Sequence, residues 1–100
     1  MADAYQVEFA ERAVKQLEQF AKSVRNVILD DVRAQLPHQP NIETKNRKPL
    51  RENVLSDWEL KVGKYRVFYD INEDERIVRI VAVGHKEHNV LYIEGEEFSL

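Results

Sequence analysis

The chain has 100 residues, 43% apolar and 33% charged, with no cysteine. That balance suits one small globular domain with a single core, expected to span residues 1–100, and argues against a disordered chain. The missing cysteines exclude disulfides and thiolate metal sites and suit a reducing cytosol. No apolar run is long enough to span a membrane, and "MADAYQVEF" lacks a signal-peptide core, so a cytoplasmic protein is expected. The net charge of −3 speaks against nucleic acid, but its distribution is uneven. From Lys45 to Arg66 the chain sums to +4, so the remainder sums to −7. A solvated surface accounts for most charge runs, yet this window is where a polyanion would dock.

In chain order, "YQVEF" (5–9) alternates Tyr5, Val7 and Phe9 with Gln6 and Glu8, which predicts a half-buried strand. From Ala10 to Leu36 there is neither Gly nor Pro. Ala13, Leu17 and Phe20/Ala21 recur at helical spacing, as do Val24, Ile28, Val32 and Leu36. Two helices paired as a hairpin are expected, the second capped by Ser23 and stopped by Pro37. Residues 37–56 hold all three prolines and read as a long loop, a kind that is often functional.

The strongest strand signals follow. Trp58, Leu60 and Val62 alternate with Glu59 and Lys61, and Tyr65, Val67, Tyr69 and Ile71 with Arg66, Phe68 and Asp70. Gly63-Lys64 fits a two-residue hairpin turn with Gly at its first central position. That turn pairs Val62 with Tyr65, Lys61 with Arg66, Leu60 with Val67 and Trp58 with Tyr69. One face then carries the apolar set, which the helices cover. The other carries Glu59, Lys61, Arg66 and Phe68 and is expected to stay open. A one-residue slip would bury two cations, so the alternation resists it.

"NEDE" (72–75) predicts a second turn, pairing Ile71 with Arg76 and Phe68 with Arg79. "RIVRIVAV" (76–83) reads as a central strand with Val78, Ile80 and Ala82 on the helix side. Gly84 is expected to open a turn, with a strand or a helical turn beyond it. Lys61 opposite Arg66 is a like-charge pair that Glu59 can neutralise. The pattern alone leaves a surface charge cluster and an anion site both open. His85 and His88 have no carboxylate cluster to complete a metal site, and no cofactor is expected. On the open face, Phe68 beside Arg66 and Arg79 would be placed to stack a base.

"WELKVGKYRVFYDINED" followed by "VRIVAVGHKEHNVLY" resembles the RelE/ParE toxin superfamily of bacterial toxin–antitoxin modules over most of the chain. The resemblance implies an α+β fold: an N-terminal strand, a helical hairpin, and an antiparallel three-stranded meander with the helices on one sheet face. For RelE-type members it implies a metal-independent, ribosome-dependent endoribonuclease that cuts messenger RNA, the 2′-hydroxyl attacking the adjacent phosphate. It places basic site residues at Lys61, Arg66 and Lys86 and the family's C-terminal tyrosine at Tyr92. Glu59 departs from the family pattern, since the position two before Lys61 is often basic in ribosome-dependent cutters, and is either a general base or a salt-bridge partner. His85 is a second acid–base candidate. Lys45, Arg47, Lys48, Arg51, Lys64, Phe68 and Arg79 are the expected RNA contacts. The partners implied are a cognate antitoxin, the ribosome and its messenger. A ParE-like inhibitor of DNA gyrase, or a degenerate antitoxin-binding module without activity, are the alternatives.

Overall fold

The computed structural model describes residues 4–100. Seven strands and two helices follow in the order β1 (Gln6–Phe9), α1 (Glu11–Glu18), α2 (Lys22–Gln35), β2 (Arg47–Pro49), β3 (Trp58–Val62), β4 (Tyr65–Asn72), β5 (Ile77–Glu87), β6 (Val90–Ile93) and β7 (Glu96–Phe98). β2 to β7 form an antiparallel run in sequence order, and β1 joins β5 in parallel. The expected α+β architecture is present, and the meander is longer than foreseen.

The helices form where apolar spacing and the lack of Gly or Pro favour them. Ala13 and Leu17 of α1, and Ile28 and Val32 of α2 with Leu36 just after it, are buried against Leu60, Val67, Tyr69, Val78 and Ile80 of the sheet. Fully burying one such aliphatic side chain contributes roughly 1.5–3 kcal/mol. An exposed pair such as Lys15–Glu11 at 3.8 Å contributes about 0.2–1 kcal/mol, so the apolar stripe sets the helix orientation. Ser23 does not cap α2. The chain turns extended two residues earlier, at Ala21 (φ −58°, ψ 152°), and no side chain caps the helix. The break releases Phe20 to pack edge-on against Tyr65 at 5.3 Å between ring centroids.

The first hairpin has the expected register, with Lys61 opposite Arg66 and Trp58 opposite Tyr69. Gly63 takes φ 59°, the left-handed value its turn position needs. The second hairpin differs. Asn72 pairs with Ile77 and Asp70 with Arg79, because Asn72 Oδ1 accepts the Glu75 N–H at 3.0 Å and fixes the turn one residue later. A bulge between Phe68 and Tyr69 then sets Phe68 opposite Ala82 and Tyr69 opposite Ile80. Ala82 therefore leaves the helix side and Val83 joins it, the reverse of the expected parity.

Nor does Gly84 open a turn. β5 runs through it to Glu87, and His88-Asn89 make the turn instead, at φ 51° and 65°. Glu94-Gly95, at φ 56° and 77°, make the next, so the C-terminal segment is two further hairpins. These strands overturn the expectation of an open second face. Phe68, Ala82, Leu91 and Ile93 are buried there, with Leu50, Leu55, Val81 and Phe98 packed against them. The long loop is likewise ordered. It contributes β2, and Tyr69 donates from its buried hydroxyl to the Pro40 carbonyl at 2.9 Å.

Candidate functional site

At the Gly63–Lys64 end of the sheet, three strands bring cations together. Lys61 on β3 lies opposite Arg66 on β4, Arg66 lies opposite Gly84 on β5, and Lys86 follows on the same face of β5. The Lys86 N–H donates to the Lys64 carbonyl at 2.7 Å, which ties β5 to the turn.

Arg66 is held rigidly. It is 9% exposed, and its Nη1 donates to the Gly63 and Tyr65 carbonyls at 2.8 and 2.9 Å. The buried carboxylate of Glu59 (4% exposed) lies 3.4 Å from its Nε, in a geometry that gives no hydrogen bond. Glu59 thus offsets the repulsion between Lys61 and Arg66 and is engaged with Arg66. Lys61 is exposed and has no ion pair among the described residues. It is the free cation of the pair.

His85 and Tyr92 belong to the other face. They pair across β5 and β6, their rings stacked at 5.4 Å and 22°, and Phe20 stands edge-on to His85 at 6.4 Å. These rings form one wall of a groove of about 530 Å³ between α1 and the C-terminal hairpins, with Lys15, Gln19 and Glu94 at its rim. His85 Nε2 is 3.1 Å from the Glu87 carboxylate. The six candidate catalytic residues are therefore two sets on opposite faces of one sheet end: Glu59, Lys61, Arg66 and Lys86 on one, His85 and Tyr92 on the other.

The expected RNA contacts fare unequally. Lys45, Lys48, Arg51 and Lys64 are exposed, and Lys48 lies opposite Glu59 beside the cation cluster. Arg47 is buried, donating from Nε to the Ile42 carbonyl and from Nη1 to the Gln35 carbonyl, both at 3.2 Å. It fastens the loop to the end of α2 and is withdrawn from any ligand. Phe68 is wholly buried and cannot stack a base. Arg79 is exposed opposite Asp70, five residues along β5 from Gly84. At about 3.3 Å per residue it lies roughly 17 Å from the cluster.

Sequence reasoning missed Gln16. It is 3% exposed, its Oε1 accepts the Val83 N–H and its Nε2 donates to Glu94 Oε2, both at 2.7 Å. Its position in the apolar stripe between Ala13 and Leu17 was the available signal. The bond from Gln16, with the Arg12 guanidinium, holds the Glu94 carboxyl below its ordinary range. Burial pushes the Tyr69 hydroxyl well up. Among the described residues no cluster of His, Asp and Glu side chains is of a kind to hold a metal ion. No helix among them is long and apolar enough to cross a membrane.

This fold is that of a family of small toxins. Residues 7–90 match the family described as the ParE toxin of the type II toxin–antitoxin system, parDE. The chain belongs to that family, within the RelE/ParE superfamily. Among solved structures it is similar to the toxin–antitoxin complex RelBE2 of Mycobacterium tuberculosis (24% identity, 83% of this chain and 99% of that one, TM-score 0.72). It is also similar to the archaeal RelE–RelB complex of Pyrococcus horikoshii (23%, 85% and 98%, TM-score 0.68). The isolated RelE toxin of E. coli is 28% identical over 85% of this chain and 87% of that one, with a TM-score of 0.66. Comparison with curated protein sequences gives no match.

Proposed function

We propose that this toxin is a metal-independent endoribonuclease that cuts messenger RNA on the ribosome. The observation that carries the reading is the placement of the exposed Lys61 opposite the immobilised Arg66, with Lys86 on the same face. In-line attack of a 2′-hydroxyl on its phosphate builds negative charge on the equatorial oxygens and on the departing 5′-oxygen. The 2′-hydroxyl loses its proton, the 5′-oxygen gains one, and a 2′,3′-cyclic phosphate and a 5′-hydroxyl result. Cations fixed before the reaction stabilise that charge without reorganising. Lys61 and Lys86 are assigned to the phosphate and Arg66 to the preorganised field, with Glu59 holding Arg66. The His85–Tyr92 wall lies around the same sheet end on its opposite face, and in this reading His85 is assigned proton transfer and Tyr92 the flanking nucleotide. Lys48 and Lys64 flank the path of the RNA.

A cognate antitoxin is part of this reading, because two of the similar structures are toxin–antitoxin complexes. A second reading has its own support. The carboxylate of Glu59 sits against Arg66 in the middle of the cluster, which weakens the field for a phosphate. That favours a gyrase-directed toxin, which needs no cleavage residues. Induced expression separates the two: growth arrest with cut messenger supports the ribonuclease, and arrest with intact messenger and DNA-damage induction supports the alternative.

A further inference from the structure

Along one edge of β5 the neighbouring strand changes. β1 pairs with it as far as Ile80, where the Ala10 N–H donates to the Ile80 carbonyl. β6 begins only at His85, opposite Tyr92. Between Ile80 and His85 no strand among the described residues pairs along that edge, and Val83 lies in this gap as a fully inward residue with a backbone donor to satisfy. Gln16 satisfies it from α1, through the gap. At the same point β6 comes very close. A Cβ on Gly84 would collide with the Tyr92 carbonyl and meet Ile93 Cγ1 at 2.9 Å. The other end of the Gln16 amide holds Glu94, in the left-handed turn that directly follows β6, and Arg12 reaches the same carboxylate oxygen at 3.4 Å.

We propose that Gln16 is a positioning residue for the His85–Tyr92 wall: one buried amide splints β5 just before Gly84-His85 to the turn just after Tyr92-Ile93. Resting on the ribonuclease reading, the proposal adds that the splint sets where this wall stands relative to the Lys61 face. Gln16 touches no substrate in this account. Both its hydrogen-bonding ends are occupied inside the protein.

The test uses the full chain and three variants: Gln16→Leu, which removes both bonds at similar volume; Glu94→Ala, which removes the outer one from an exposed residue; and Glu94→Gln, whose amide oxygen still accepts from Gln16. Two quantities are read. One is single-turnover cleavage of a defined messenger on purified translating ribosomes over a range of toxin concentrations. The other is amide exchange of Leu91–Ile93 relative to β3 and β4. Gln16→Leu and Glu94→Ala are expected to lower the saturating rate about tenfold, with the half-saturating concentration within twofold of the parent. β6 exchange should speed up at least tenfold while β3 and β4 stay protected. Glu94→Gln should restore most of both. Parent-like cleavage and exchange in Gln16→Leu and Glu94→Ala overturn the proposal, as does equal loss in Glu94→Gln and Glu94→Ala. Should Gln16→Leu fail to fold, Glu94→Ala against Glu94→Gln decides. Should the parent cut no messenger, the ribonuclease reading fails, and the splint then stands or falls on β6 exchange alone.

Discussion

Replacing Phe68 by alanine separates a covered second sheet face from an open one. Phe68 has no exposed surface and packs with Ala82, Leu91 and Ile93 beneath Leu50 and Phe98. Removing a fully buried phenylalanine ring costs roughly 3–5 kcal/mol, from lost transfer energy and the cavity left behind. An exposed phenylalanine waiting for a base would cost within about 0.5 kcal/mol. At about 4–8 °C per kcal/mol for a domain of this size, the buried ring corresponds to a fall in Tm of roughly 12–40 °C. That is a large part of the roughly 5–15 kcal/mol that holds a small domain together. Phe68→Leu, which keeps most of the volume, is expected to lose under about 1.5 kcal/mol. Urea and thermal unfolding followed by circular dichroism measure both. A loss below about 1 kcal/mol for Phe68→Ala would refute the second core.

Glu59→Gln leaves the buried Arg66 guanidinium without its counter-charge and is expected to cost about 1–3 kcal/mol in urea unfolding. A neutral result would show that the two Arg66–carbonyl bonds suffice. Lys61→Ala removes an exposed side chain, so stability should change by less than about 0.5 kcal/mol. Messenger cleavage is expected to fall at least a hundredfold, measured by primer extension, and retained cleavage would remove Lys61 from the site. Glu94 carries a carboxyl whose folded pKa is lowered, first by the Gln16 bond and then by Arg12. A group depressed in the folded state contributes stability above its unfolded pKa, about 4.3, and loses it as pH falls through the lower folded value. Lys15, Arg12 and Glu11 surround it. Glu94→Gln should flatten the acid limb of the stability profile below about pH 4.3. An unchanged limb in urea unfolding across pH would contradict the Gln16–Glu94 bond.

The first hairpin was legible because two signals agreed. Gly63 fixed the turn, and strict alternation on both strands excluded a slip, so the Lys61–Arg66 pairing could be placed from the residues alone. On β5 no such check exists. "RIVRIVAV" is apolar at nearly every position, so nothing in it marks the bulge opposite Phe68 and Tyr69 that exchanges Ala82 and Val83 between faces. The mistaken open face has a similar origin. Leu50 and Leu55 lie in a proline-rich segment without period, and Leu91, Ile93 and Phe98 in a tail whose turns use His88 and Glu94 at left-handed φ, where turn chemistry points more readily to Asn or Gly. Their packing against Phe68 is a tertiary event. The split of the site follows from parity. Lys86 and Tyr92 flank a hairpin in which Lys86 pairs with Leu91 and His85 with Tyr92, which sends the tyrosine to the helix side.

Mapping 5′-hydroxyl RNA ends during a short pulse of expression, in a strain carrying a DNA-damage reporter, tests the central claim most directly. The account predicts new 5′-hydroxyl ends inside translated codons within minutes, absent when translation is blocked and absent for Lys61→Ala, with the reporter silent. Growth arrest with intact messenger and an induced reporter would contradict it and assign this toxin to gyrase.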